Sequence, residues 1–295
     1  MSLSWLALVV GNTRLHWGFF DQGMLVATWH THHLSELLAD QTGLDLHPQN
    51  AQVVISSLVG DAKISDLLQN MILPIDLWLA SVVPAQTHLW KQVVPNVRLV
   101  LRSRIHLNGI YSTLGIDRAI NLIGAKQTLD WPILVIDSGT ALTLTAGMRS
   151  SIEGTYDGSV YGGAILPGVK LQFDALKQQT ALGSLDLGSW MPTTPSPETS
   201  SKQSQLPEQL PERWAGDSEG AIASGIAYSL TSTCLDYIND WWQMFPKGSV
   251  VFTGGDGRLL YQYLQQRTPE IASRVLIDDD LMFKGMQAYR RELTT

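Results

Sequence analysis

Two stretches of this chain repeat one pattern, and that repetition restricts the fold more than any other feature. The first is Trp5-Leu6-Ala7-Leu8-Val9-Val10-Gly11-Asn12-Thr13-Arg14-Leu15-His16-Trp17-Gly18, and the second is Ile133-Leu134-Val135-Ile136-Asp137-Ser138-Gly139-Thr140-Ala141-Leu142-Thr143-Leu144-Thr145. Each is an apolar, β-branched run that breaks at glycine and hydroxyl residues and then resumes, which predicts a buried strand, a tight turn and a second strand. At the second bend Gly139 lets backbone come close to a ligand. Asp137, Ser138 and Thr140 add a carboxylate and two hydroxyls where backbone N–H groups also point outward, a setting that suits phosphate and a cation. Superposing Gly11 on Gly139 lays strand on strand and turn on turn, so the chain reads as two related halves facing one another, with Val9 where Asp137 stands.

The length, 295 residues, suits two domains of about 150 residues each. A formal charge of −7 argues against a surface for polyanions, so nucleic acid is not an expected partner. A single cysteine, Cys234, excludes an internal disulfide and any Cys-rich zinc site, and fits a reducing cytoplasm. Residues Met1 to Trp5 lack the basic segment and cleavage site of a signal peptide, and no apolar run reaches the roughly 18 residues that span a bilayer. A soluble, cytoplasmic protein with no membrane partner is expected.

Strands alternating with helices predict an α/β architecture. Strands are expected over Ala51 to Leu58, Leu77 to Val83, Arg98 to Leu101 and Val275 to Ile277, and helices from Leu34 to Leu38, Asp61 to Met71, Lys170 to Leu182 and Leu281 to Arg291. His30, His32 and His33 read as a solvated loop, lacking a further ligand at useful spacing for a metal. Gly115-Ile116-Asp117-Arg118 opens a helix, and Asp117 there is either an ordinary N-cap or a general base beside an anion clamp, Arg118. The glycines between Gly154 and Gly168 mark a loop approached closely by a strand or a ligand. Residues 183–212, rich in Pro, Ser, Thr and Gln, cannot bury a core and read as a mobile excursion. A long helix from Ser218 to Gln243 carries Cys234 as an inert core residue. Thr253-Gly254-Gly255 ends a strand in a glycine turn of the kind that meets nucleotides, although neither a P-loop nor a dinucleotide fingerprint is present.

Taken in order, Val10-Gly11-Asn12-Thr13, Gly115-Ile116-Asp117-Arg118, Asp137-Ser138-Gly139-Thr140, Tyr161-Gly162-Gly163-Ala164-Ile165 with Pro167-Gly168, and Thr253-Gly254-Gly255 resemble the type III pantothenate kinases. The resemblance spans nearly the whole chain outside the excursion. It implies the fold of the acetate and sugar kinase, Hsp70 and actin superfamily: two related actin-like ATPase-type halves, 1–116 and 117–295, with a ligand cleft between them. It also implies ATP-dependent phosphorylation of pantothenate, the first step of coenzyme A synthesis, by a homodimer using ATP with Mg²⁺ and a monovalent cation such as K⁺ or NH₄⁺. By position it makes Asp117 the catalytic base and sets Tyr111, Gly115, Ile116, Arg118 and Ser218 around pantothenate. Val9, Val10, Gly11, Asn12, Thr13, Arg14, Leu15 and His16 fall around the nucleotide phosphates with Thr140 at ATP, and Asp137 falls at the monovalent cation.

Three positions depart from the family. Val9 replaces an aspartate near the metal and phosphates, His16 replaces a lysine that would carry a fixed charge, and Tyr111 replaces a proline. Because Mg²⁺ keeps much of its hydration shell, loss of the carboxylate at Val9 need not abolish activity. The alternative these changes raise is a catalytically weakened regulatory protein that binds nucleotide or pantothenate on the same fold. A different small-molecule kinase or phosphatase on this fold is a third reading.

Overall fold

Strand β1 (Ser4–Val10) is buried from Trp5 onward, and its alternation sorts two cores. Trp5, Ala7 and Val9 face one core; Leu6, Leu8 and Val10 face another. A strand covered on both faces is apolar at every position, which accounts for the run that opens the chain. The computed structural model describes residues 4–35, 48–59, 61–69, 75–151, 156–180 and 209–294. In it β1 pairs antiparallel with β2 (Leu15–Asp21) and parallel with β4 (Leu77–Ser81). With β3 (Met24–Thr31) and β5 (Arg98–Leu99) these form a sheet of order β3-β2-β1-β4-β5. Helices α1 (Pro48–Ser57), α2 (Ala62–Gln69) and α3 (Pro84–Val93) cover its outer face. Helix α4 (Ile116–Lys126) covers its inner face.

The second half repeats this plan. Strand β6 (Ile133–Ser138) pairs antiparallel with β7 (Ala141–Arg149) and parallel with β9 (Ser249–Thr253). With β8 (Gly158–Pro167) and β10 (Leu276–Ile277) the order, read from the opposite edge, is β8-β7-β6-β9-β10, the topology of the first sheet. Helices α5 (Val169–Gln179), α6 (Ser218–Met244) and α7 (Gly257–Arg267) cover the outer face. The short α8 (Pro269–Ala272) follows, and α9 (Leu281–Thr294) lies on the inner side. The halves expected from the repeated bends are therefore present as two sheets of one topology.

Between the sheets, α4 and α9 share a single core with the inner faces of both. They cross at glycine. Gly124 lies against the carbonyl of Leu281 and Gly285 against that of Ile120, so closely that a Cβ on either would overlap the oxygen. Each glycine stands four residues after the carbonyl its partner meets, so the contact is reciprocal. The expected boundary at 116/117 falls in the first turn of α4.

Several local expectations are corrected. Ala51 to Leu58 is helical rather than extended, as part of α1; a short apolar run satisfies either period, and here Val54 and Ile55 are the buried positions. Gly158 to Pro167 is strand rather than loop. A side chain at Gly158 would strike the Trp131 ring and one at Gly163 the Leu144 carbonyl, so its glycines serve close approach within the sheet and core. His30 belongs to β3. Residues 36–38 of the short helix from Leu34, and residues 183–208 of the excursion, lie outside the described residues. Its last residues are packed: Pro211 is buried, and the Leu210 N–H donates to Gln266 Oε1 at 2.8 Å.

Candidate active site

The inner-face alternation of β6 runs Ile133, Val135 and then Asp137, so the carboxylate emerges at the end of the strand facing α4. Asn121 of α4 donates from Nδ2 to Asp137 Oδ2 at 2.8 Å. Asp117 stands four residues before Asn121, on the same face of that helix. Burial first and the charge of Asp117 second push the Asp137 carboxyl up to about 7, against the Asn121 hydrogen bond. Thr253 is the cross-strand partner of Asp137. The buried Thr253 Oγ1 and Asn121 Oδ1 have no hydrogen-bond partner among the described residues. Gly254, at φ +87°, takes the left-handed turn that wraps this bend, where a side chain would collide with Asp137. The Asp256 N–H then donates to Ser138 O at 2.8 Å.

Asp117 is not the N-cap of α4. Gly115 occupies that position, and a methyl group there would collide with the Asp117 carboxylate. Asp117 Oδ1 accepts from the Arg118 N–H at 2.8 Å. Burial raises its pKa, opposed by that hydrogen bond and by the charge of Arg118. The buried Arg118 reaches across to the second sheet, donating from Nε to Thr145 Oγ1 at 2.8 Å and from Nη2 to Leu144 O at 3.3 Å. Its Nη1 donates to the Tyr111 hydroxyl at 3.1 Å. Tyr111 borders an open cleft of about 440 Å³ with Arg102, Asn108, Ile110, Ser112 and Tyr156. Thus Tyr111, Gly115, Ile116, Asp117 and Arg118 are gathered at one place. Ser218 is exposed in the first turn of α6, where Asp217 caps the Gly220 N–H at 2.7 Å. No hydrogen bond among the described residues joins Ser218 to Asp117 or Arg118.

The first-half bend faces the second. The Gly11 N–H donates to Arg14 O at 3.0 Å, closing the turn, and the hydroxyls of Thr13 and Thr140 are hydrogen-bonded to each other. Beside them Arg14 and Asp256 interact across the halves. Burial lowers the pKa of Arg14 and raises that of Asp256 to about 6, and in each case the partner's charge opposes the shift. Val9, Val10 and Leu15 are buried and support the bend from beneath. His16 pairs across the strands with both Val9 and His30. Asp256 was not legible as a site residue. Its one signal is a carboxylate at the start of a helix after Gly-Gly, and in the structure it makes no side-chain cap.

The profile of the type III pantothenate kinases matches residues 5–240. The chain belongs to the type III pantothenate kinase family. It is 40% identical over 288 residues to the type III pantothenate kinase of a Nostoc species, covering 96% of this chain and 93% of that one. To the Synechocystis type III pantothenate kinase it is 35% identical over 285 residues, covering 96% and 89%. Among solved structures, a conserved Baf family protein from Campylobacter jejuni aligns over 98% of both chains with a TM-score of 0.54 at 16% identity, a likeness of fold. The architecture of this type III pantothenate kinase family member is a two-halved α/β fold whose halves carry five-stranded sheets of one topology. Among the described residues no helix is long and apolar enough to cross a membrane, and no group of three or more His, Cys, Asp or Glu side chains could hold a metal ion.

Proposed function

We propose that this member of the type III pantothenate kinase family transfers the γ-phosphoryl group of ATP to the primary hydroxyl of pantothenate, giving 4'-phosphopantothenate and ADP. The observation that carries the reading is the placement of Asp117. Its carboxylate is desolvated at the start of α4, beside an Arg118 anchored on the opposite sheet and close enough to Asp137, where β6 runs into the second bend, for the two charges to interact.

In this reading the ATP phosphates lie between Gly11 to Arg14 and Ser138 to Thr140, met by backbone N–H groups from both turns. Tyr111 and Arg118 hold the acceptor at the neighbouring cleft, with Gly115 leaving the space that Asp117 occupies. The pantothenate oxygen attacks the γ-phosphorus, the bond from phosphorus to the β,γ-bridging oxygen breaks, and Asp117 accepts the hydroxyl proton. Phosphoryl transfer asks chiefly for such alignment and charge stabilisation. Mg²⁺ bound to the ATP phosphates would neutralise developing charge, retaining water where Val9 supplies no carboxylate. The Asp137 carboxylate with Asn121 Oδ1 and Thr253 Oγ1 is an all-oxygen set of the type hard cations take, which fits the monovalent ion. A cytoplasmic homodimer is part of the same proposal.

The test is a coupled ADP-release assay with and without pantothenate. Pantothenate-dependent release supports the kinase reading. Binding of ATP and pantothenate without release overturns it in favour of a regulatory binder.

A further inference from the structure

Three imidazoles converge on the turn formed by Gly11 to Arg14. His16 of β2 stacks edge-on against His30 of β3, ring centroids 4.7 Å apart. His33 reaches the same turn, its Nε2 2.8 Å from Gly11 O. That reach is built from behind: the buried Gln86 of α3 clamps Leu34 by both backbone groups, accepting its N–H and donating to its carbonyl, each at 2.9 Å. A side chain on Gly11 would lie 3.4 Å from His16 Nε2, so this ring nitrogen borders the space above the turn. The other groups facing it are Arg14 on the turn and the apolar Val9 on β1, while Asp256 lies across the halves beside Arg14.

We infer that His16, packed against His30 at the rim of the Gly11 to Arg14 turn, is a proton-linked cation for nucleotide phosphates, taking up a proton when a nucleoside polyphosphate settles on that turn. The inference rests on the reading that the phosphates lie there. In the free protein burial, then His30, Arg14 and His33, hold His16 down to about 3, so it is neutral at pH 7. Polyphosphate reverses the sign of that surround. The negative charge favours the imidazolium and offsets the repulsion from Arg14. A residue that would otherwise be a poor substitute for a fixed cation becomes one only when the ligand is present. A group whose pKa rises on binding gives its full contribution at low pH and loses it as pH climbs through the bound-state value.

The experiment is calorimetric titration of the full chain with Mg-ATP at pH 6.5 in two buffers of different ionisation heat, beside His16→Lys and His16→Gln. The Lys variant corrects for protons carried by the nucleotide itself. Expected is a net uptake by the unmodified protein, up to about one proton more than either variant shows. Its affinity should also fall between pH 6 and 8 by up to about tenfold per unit relative to His16→Lys. Equal proton counts in all three proteins, with affinities that differ, overturn the proton linkage while leaving the phosphates on this turn. Equal counts and equal affinities overturn the phosphate placement and the inference together. Should neither variant fold, the unmodified protein still decides, since absence of uptake in the two buffers refutes the linkage.

Discussion

Replacing Asp117 by asparagine separates catalysis from architecture, because the structure gives the carboxylate two roles of very different size. As a helix-terminal charge accepting the Arg118 N–H, it contributes about 0.3–1 kcal/mol. The amide oxygen of asparagine can take over the hydrogen bond, and the cost of keeping a desolvated carboxylate disappears. The net change in stability should stay within about 1 kcal/mol, a shift of roughly 2–4 °C in the thermal midpoint of a chain this size. As the base for the acceptor hydroxyl, the same carboxylate is worth about 10²–10⁴-fold in rate, or about 2.7–5.4 kcal/mol of barrier. A second consequence follows one helical turn away. Asp117's charge helps to push Asp137 up to about 7, so the variant should titrate Asp137 at lower pH. Turnover by coupled ADP release, thermal midpoint and ATP affinity are measured on the same preparation. Loss of turnover with the other two retained is expected. Turnover within a few-fold of normal would refute the assignment of Asp117 as base, and a collapse of the midpoint would show that its main role is structural.

Arg118→Lys should lower kcat/KM for pantothenate by about 10–100-fold, since hydrogen bonds to charged groups are worth about 1.5–3 kcal/mol and lysine cannot span Thr145, Leu144 and Tyr111 together; steady-state kinetics with varied pantothenate reads this. Gly285→Ala drives a methyl group into the Ile120 carbonyl and should destabilise by about 1–3 kcal/mol or more, visible as a lowered denaturation midpoint with little change in KM. For Asp137 the folded pKa, about 7, lies above the unfolded value. The native state therefore binds the extra proton between these limits, and stability declines as pH rises toward 7 and then levels. Thermal melts in KCl against choline chloride should show K⁺ raising the midpoint more at pH 8 than at pH 5.5, and an equal effect at both would remove the cation from Asp137.

The bends were legible because their chemistry sits in contiguous residues. Gly11 to Arg14 and Asp137 to Thr140 are short interruptions of apolar strand runs, and the break in hydrophobicity marks where each bend lies. Asp117 could be placed near a helix start, but its position one residue inside Ile116, with Gly115 as cap, depends on space that only the fold defines. Asp256 and the histidine cluster were hidden for another reason. Their partners come from different strands and different halves, and nothing in linear spacing relates His33 to Gly11 or Asp256 to Arg14. The run from Ala51 to Leu58 departs from the expected strand because so short an apolar run satisfies the helical and the extended period alike.

The placement of α9 bears on the order of events during synthesis. Although it follows β10 of the second half in sequence, it finishes the first half. Tyr289 Oη accepts the Leu101 N–H at 2.9 Å, Arg290 pairs with Asp76 at 2.9 Å, and Phe283 fills the space left by Gly18 on β2. A nascent chain that has emerged only through β5 and α4 therefore presents Trp5, Phe20 and Trp78 without their final cover. Docking of α9 is then the step that commits both halves at once, so the two should fold as one cooperative unit instead of half by half.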